Sequence, residues 1–243
     1  MTKPALVLLH GVGLDHTMWE PVVALLPGDV DVITPDLPGH GRRAPAQAGV
    51  TLADLADGVA EDIAPGSHLV GFSLGALVAQ HLARHRPELV ATLTLVSSVC
   101  RRTPDERAAV LDRLRLAEKD FRASAVASLR RWYDGTDVDA ERVRRTETTL
   151  LANDVDSFLN CYRVFATADA EIGAELDRIT MPALAVTGEL DPGSTPAMTR
   201  RLAAAMPNCR AVVVPGARHM LPVERPRELV DSLSTFIGED AHA

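Results

Sequence analysis

The sequence predicts an α/β protein, a mostly parallel sheet flanked by helices. Three observations predict it. Short apolar runs recur at wide intervals, and they are apolar almost continuously rather than alternating, as strands covered on both faces must be. Helical patterns fill the intervals between them, the order that produces a parallel sheet under helices. And a serine flanked by glycines, Gly71-Phe72-Ser73-Leu74-Gly75, sits where one run should turn sharply into a helix.

The runs, in order, are Ala5–Leu9, Val30–Thr34, His68–Gly71, Thr92–Val96, Ala183–Thr187 and Ala211–Val214, mostly valine, leucine and isoleucine. Helical patterns cover Trp19–Leu26, Leu52–Ile63, Leu77–Arg86, Met198–Ala205 and Glu228–Ile237. From about Arg101 to Arg178 no strand is evident. Val110, Leu111, Leu114 and Phe121 suggest one amphipathic helix there, and Val155, Phe158, Leu159, Tyr162 and Phe165 another, with apolar residues three and four apart. The division expected is therefore a core of residues 1–100 and 179–243 with a helical insertion over 101–178, placed as a cap over the carboxyl edge of the sheet. A peripheral helical lobe without contact to substrate is the plainer alternative. The polar end, Gly238–Ala243, is expected to fray.

Composition narrows the function classes. The chain has 243 residues, 47% hydrophobic and 24% charged, which suits one domain with a sizeable core. A formal net charge of −8 without a basic stripe argues against nucleic acid as a partner. No apolar stretch reaches the length of a membrane span, and the run after Met1-Thr2-Lys3-Pro4 is too short for a signal-peptide core. Cys100, Cys161 and Cys209 are odd in number and far apart, which argues against a disulfide framework or zinc site and for a cytoplasmic location. No motif calls for a metal, a nucleotide or another cofactor, so none is expected.

A G-x-S-x-G sequence by itself is modest, since it also occurs as an ordinary glycine-rich turn. Between a strand and a helix it holds the serine in a strained conformation with its hydroxyl presented, the setting of a nucleophile. Such a hydroxyl needs a base, and the base an orienting acid. Of eight histidines, His219 follows the last predicted strand; His68, His81 and His85 read as strand-entry or helix-surface residues, and His242 lies in the tail. Asp191 follows the Ala183–Thr187 run, with Glu189 as its nearest rival; Asp36 precedes the serine, the wrong order. Ser73, Asp191 and His219 are thus the expected catalytic residues, in the order serine, acid, histidine. The oxyanion would be held by the N–H of Leu74, at the positive end of a helix, and of Val12 in the loop His10-Gly11-Val12-Gly13. A phosphate-binding reading of that loop lacks its third glycine and its lysine.

With these residues in place the chain resembles the α/β-hydrolase superfamily over nearly its whole length. The resemblance rests on His10–Gly13, on Asp36-Leu37-Pro38-Gly39-His40-Gly41, on Gly71–Gly75, on the Gly188–Asp191 turn, and on Gly216–His219 followed by Glu224-Arg225-Pro226. It implies the α/β-hydrolase fold with a cap and a serine–histidine–aspartate triad. The region Leu129-Arg130-Arg131-Trp132-Tyr133, the stretch Asn153–Ala166 and Ile179-Thr180-Met181-Pro182 look most like 3-oxoadipate enol-lactonases. Gly11–Trp19 and Leu95–Cys100 look like pimeloyl-carrier-protein methyl esterases. Members with an aspartate nucleophile are disfavoured by Ser73. The N-terminus is shorter than the family's usual hairpin start, which could leave an edge strand open to pairing in a homo-oligomer.

The resemblance implies a small-molecule ester or lactone as the partner. If that molecule is an anionic lactone, Arg130 and Arg131, beside Trp132, are the candidate cations, and Gly11 lets the backbone face the substrate. Solvated helix charges are the plainer alternative for both arginines. A carbon–carbon bond hydrolase with the same triad, or a non-catalytic receptor on the same fold, stays open at this point.

Overall fold

The structure, a computed structural model, describes residues 4–240, the last two by backbone only. Lys3, His242 and the remainder of the expected frayed end, 241–243, lie outside the described residues. Gly238, by contrast, is helical.

Six strands form one sheet: β1 (Leu6–Leu9), β2 (Val32–Ile33), β3 (Ser67–Phe72), β4 (Val90–Val96), β5 (Ala183–Gly188) and β6 (Cys209–Val214). Every pairing is parallel and the spatial order is β2-β1-β3-β4-β5-β6. The chain leaves β1 in one direction to form β2, then returns past β1 to form β3. Strand order therefore reverses between β1 and β3, and a crevice opens beyond their carboxyl ends, where ligands bind in such sheets. The strand ends align across the sheet, with Leu9 opposite Gly71, Phe72 opposite Val96, Val96 opposite Val186, and Gly188 opposite Val214. All four residues of β1 are buried, as the continuous apolar run predicts, whereas the edge strand β6 exposes Arg210 and Ala211.

Helices α2 (Leu52–Ala60), α3 (Leu74–His85), α9 (Pro196–Ala205) and α11 (Pro226–Asp240) match the expected patterns within a few residues. The Trp19–Leu26 pattern splits into a 3₁₀ turn, His16–Trp19, and the single turn α1 (Glu20–Val23). One turn, α10 (Leu221–Glu224), follows β6.

Between β4 and β5 come five helices instead of two: α4 (Pro104–Lys119), α5 (Phe121–Tyr133), α6 (Ala140–Leu151), α7 (Val155–Thr167) and α8 (Asp169–Ile172). Phe121 does not extend the first of them. Asp120 adopts an extended conformation and accepts a hydrogen bond from Ala123 N–H, so one helix ends and another is capped at that residue. The α5 pattern is quiet in the sequence because two of its buried positions are Ser124 and Ala125, and α6 buries only Leu150.

This helical segment is tied to the loops beyond the strand ends. Asn153 Nδ2 donates to Gly13 O at 2.9 Å, and Ser157 Oγ donates to Gly39 O at 2.9 Å while accepting from Ala46 N–H at 2.8 Å. A Cβ on Gly13, whose φ is +74°, would lie 2.6 Å from Leu150 and 2.7 Å from Phe158, so the loop after β1 and helices α6 and α7 are in close packing. At the base of the segment, Arg102 Nη1 meets Asp169 Oδ1 at 2.6 Å with both side chains almost fully buried, and Arg102 N–H donates to Asp169 Oδ2 at 2.8 Å. Its apolar side chains belong to the same buried cluster as the sheet.

Candidate active site

Ser73 is the residue between β3 and α3. Its φ of 54° and ψ of −110° lie outside the ordinary regions for a residue with a Cβ, a strain that surrounding structure must hold. Packing around the turn does so. A Cβ on Gly71 would sit 2.2 Å from Gly75 O, and one on Gly75 would sit 2.4 Å from Leu9 O and 2.5 Å from His10 O. Both glycines are therefore required by close backbone approach, and the Ser73 N–H is fixed by a 3.0 Å bond to Val96 O.

His219 Nδ1 lies 2.7 Å from Asp191 Oδ2, and both residues are buried. The other carboxylate oxygen of Asp191 accepts from the N–H groups of Gly193 at 2.8 Å and Ser194 at 2.9 Å. With that carboxylate opposite, Nδ1 carries the proton and Nε2 is left as the basic nitrogen. Glu189, the rival acid, is exposed and accepts from Gly216 N–H at 2.9 Å. The imidazole of His219 is flanked by Phe72, centroids 5.1 Å apart, and Trp132, 5.9 Å apart. Its backbone carbonyl accepts from Ser97 Oγ at 3.0 Å.

One cavity is lined by Ser73, Asp191, His219 and Val12 from the sheet side and by Arg131, Trp132 and Phe158 from the helical segment. Ser73 and His219 both line it, with no hydrogen bond between them. Leu74 is the first residue of α3, so its N–H has no partner within the helix. Gly11 lies behind Ser73, where a Cβ would come within 2.9 Å of Phe72 and 3.3 Å of Ser73 Cβ.

Arg130 is exposed on α5 and is not among the residues that line this cavity. Helical geometry turns its neighbour Arg131 inward by about 100°. Arg113 of α4 and Ser194 line the cavity and went unread in the sequence. Arg113 sits among Arg107 and Arg115 on a helix of many charges, and nothing local distinguishes it.

Two buried histidines brace the loops. His10 Nε2 accepts from Leu37 N–H at 2.9 Å, so Nδ1 is the donor to Gly11 O at 2.8 Å, and the ring joins the loop after β1 to the one after β2. Burial lowers it to a pKa of about 4. His40, edge-on to it with centroids 5.1 Å apart, is lowered to about 3 by burial and by the neighbouring His10. Burial acts to raise the Asp36 carboxyl, but N–H groups of Arg42 and His16 and the His16 ring outweigh it and leave the pKa at about 2. Burial pushes Cys100 up to about 11 and Cys161 and Cys209 up to about 12, which keeps these three free thiols protonated at neutral pH.

A model of an alpha/beta hydrolase family matches residues 6–232. The chain is 29% identical over 236 residues to an (E)-2-((N-methylformamido)methylene)succinate hydrolase of Acinetobacter baylyi, covering 96% of this chain and 89% of that protein. It is 29% identical over 244 residues to a pimeloyl-[acyl-carrier protein] methyl ester esterase of Yersinia pseudotuberculosis, covering 97% and 93%. Among solved structures, the enol-lactonase of Burkholderia xenovorans is similar with a TM-score of 0.83 and 25% identity, over 98% of this chain and 92% of that one.

Proposed function

The chain belongs to the alpha/beta hydrolase family, and from that premise we propose that it is a serine hydrolase of a carboxylic ester or lactone. The observation that carries the reading is the 2.7 Å His219–Asp191 contact in the cavity that also holds Ser73 on its strained turn. The similar proteins include a hydrolase, a methyl ester esterase and an enol-lactonase, which supports ester chemistry.

In this reading Ser73 Oγ attacks the carbonyl carbon while His219 Nε2 takes its proton. The negative charge that develops on the carbonyl oxygen is met by the N–H groups of Leu74 and Val12. Collapse of the tetrahedral species expels the alcohol, which receives the proton from His219; in a lactone the alcohol stays tethered to the acyl chain. Water then attacks the acyl-enzyme, gives its proton to His219, and releases the acid as that proton returns to Ser73. Asp191 holds the ring in the required tautomer and stabilises its cation. Helices α4–α8 serve as the cap that encloses this chemistry, with their ties to Gly13 and Gly39 holding the lid over the strand ends. Within the described residues no helix is long and apolar enough to cross a membrane. A cytoplasmic location is part of the same proposal.

Hydrolysis of p-nitrophenyl acetate or butyrate, with Ser73→Ala as control, tests the reading. Turnover lost by roughly 10⁴- to 10⁶-fold on substitution supports it, because the members of such a triad act as a unit. Turnover equal to that of the parent protein overturns it.

A further inference from the structure

The ring of His219 is held by Asp191, Phe72 and Trp132, and the backbone behind it is fastened as well. The loop that carries it lies against the end of β5: a Cβ on Gly188 would meet Ala217 O at 2.3 Å and Arg218 O at 2.4 Å. The peptide group between Ala217 and Arg218 is pinned at both ends. Its carbonyl accepts from the N–H of Leu190, the residue before Asp191, at 2.8 Å, and its N–H donates to Glu224 Oε2 at 2.7 Å. The carbonyl of His219 itself accepts from Ser97 Oγ at 3.0 Å. His219 thus lies between two peptide groups that are each tied to a distant side chain, Ser97 just beyond β4 and Glu224 at the end of α10. Both side chains sit in unfavourable settings. Ser97 is fully buried, its N–H is fixed to Val186 O at 2.8 Å, and its φ of +48° lies in the region that favours glycine. Glycine would be free of that strain, and what serine adds is the hydroxyl. Glu224 is buried, and among the described residues its Oε1 has no hydrogen-bond partner. Strained backbone and buried unpaired polar atoms persist where the surrounding structure over-determines them, and they gather at functional sites. Here they converge on one loop, and the side chain that this loop delivers to the cavity is His219.

We infer that Ser97 and Glu224 are positioning residues for His219, fixing the backbone on either side of it so that Nε2 is presented to Ser73 Oγ. The inference rests on His219 as the base of the proposed triad. A side chain is aimed from its Cα, and Asp191 and the two aromatic rings fix only the far end of this one. Misplacing a reacting group by about 1 Å can cost about 10²-fold in rate, so the near end must be held as firmly. A carboxylate suits the task at Arg218, because a charged acceptor makes a shorter and stronger bond to an N–H than a neutral one. The clamp also gives a role to Glu224 within the Glu224-Arg225-Pro226 stretch.

The experiment measures kcat and KM for p-nitrophenyl acetate in the parent protein, Ser97→Gly, Glu224→Met and Glu224→Gln, with circular dichroism to establish that each is folded. Ser97→Gly removes the hydroxyl and relieves the strain, Glu224→Met removes the acceptor without leaving a charge unpaired, and Glu224→Gln keeps a neutral acceptor. The expected result is a fall in kcat of about 5- to 100-fold in Ser97→Gly and Glu224→Met, with KM within about twofold and part of the loss recovered in Glu224→Gln. A smaller fall in either folded variant, a loss that appears in KM alone, or equal losses in the two Glu224 variants overturns the inference. Proton NMR of the His219 Nδ1–H, assigned by its disappearance in His219→Gln, reads the clamp without turnover in a Ser73→Ala background. Exchange of that proton with solvent at least about tenfold faster in Ser73→Ala/Ser97→Gly supports the inference, and a smaller change overturns it. If Ser73→Ala hydrolyses the ester like the parent protein, the triad reading fails, and the proton exchange still decides the clamp by itself.

Discussion

The indole of Trp132 lies nearly parallel to the imidazole of His219, with centroids 5.9 Å apart and planes 23° apart. Trp132 is on α5, in the segment inserted between β4 and β5, and His219 follows β6. The stack therefore joins the helical segment to the proposed base. In the proposed reaction His219 gains a proton, and the indole face then meets a cation, an interaction of about 0.5–2 kcal/mol. Trp132→Leu should lower kcat by roughly 2- to 30-fold for a small neutral ester with a smaller change in KM, and Trp132→Phe should recover part of the loss. Steady-state kinetics on the three proteins gives the split; a change confined to KM would assign Trp132 to substrate binding alone.

Asp191→Asn keeps the shape of the acid but loses its charge opposite the His219 Nδ1–H. By analogy with serine proteases, kcat should fall by about 10³- to 10⁴-fold while the fold is retained. Circular dichroism alongside ester hydrolysis checks both halves, and a loss under tenfold would remove Asp191 from the proposed triad.

The turn at Ser73 depends on two glycines. Gly75→Ala places a methyl group 2.4 Å from Leu9 O, against backbone that has no room to move. The expected cost is about 3 kcal/mol or more, seen as a sharp fall in Tm or loss of folded protein. Gly28→Ala, where a Cβ meets nothing within 4 Å, is the control and should change stability by less than about 1 kcal/mol.

His10 and His40 are held neutral by burial, with pKa values of about 4 and about 3 against an ordinary 6.5. Their folded values are depressed, so the unfolded chain binds more protons as pH falls below 6.5. Stability from these groups is thus present above that value and is lost on acidification toward the folded values. Each contributes a slope of up to about 1.4 kcal/mol per pH unit, giving a combined loss of about 4 kcal/mol between pH 7 and pH 5. Urea midpoints across that range should fall, and His40→Asn should flatten the dependence by about half.

Arg102 and Asp169 join the entry of the helical segment to its exit, with side chains 1% and 0% exposed. Removing Arg102 leaves the buried Asp169 carboxylate with only the Arg107 guanidinium, 3.7 Å away and partly exposed, so Arg102→Met should cost about 3 kcal/mol. Arg102→Met/Asp169→Leu should recover much of that loss. Urea denaturation of the two variants measures the difference, and equal losses would make the pair a packing element only.

Strands and the serine turn were legible because their signals are local. A buried parallel strand must be apolar at successive positions, and Gly71 and Gly75 stand within two residues of the serine they accommodate. The strand-free interval between β4 and β5 was legible, but two of its five helices left weak patterns. Ser124, Ala125 and the single buried Leu150 supply too little apolar periodicity to reveal α5 and α6.

The cavity wall shows the other side of this division. Arg130 and Arg131 are chemically identical neighbours, and the turn of α5 exposes the first and brings the second into the cavity. Arg113 reaches the same wall from α4, a helix whose many charges look equally solvated in the sequence. The fold, the order of the proposed triad and the strained serine turn are written in short-range pattern and glycine placement. The 28-residue closure from Asp191 to His219, and which cations meet in one cavity, depend on how separate elements pack. Packing is set by contacts between residues far apart in the chain, and no local periodicity encodes them.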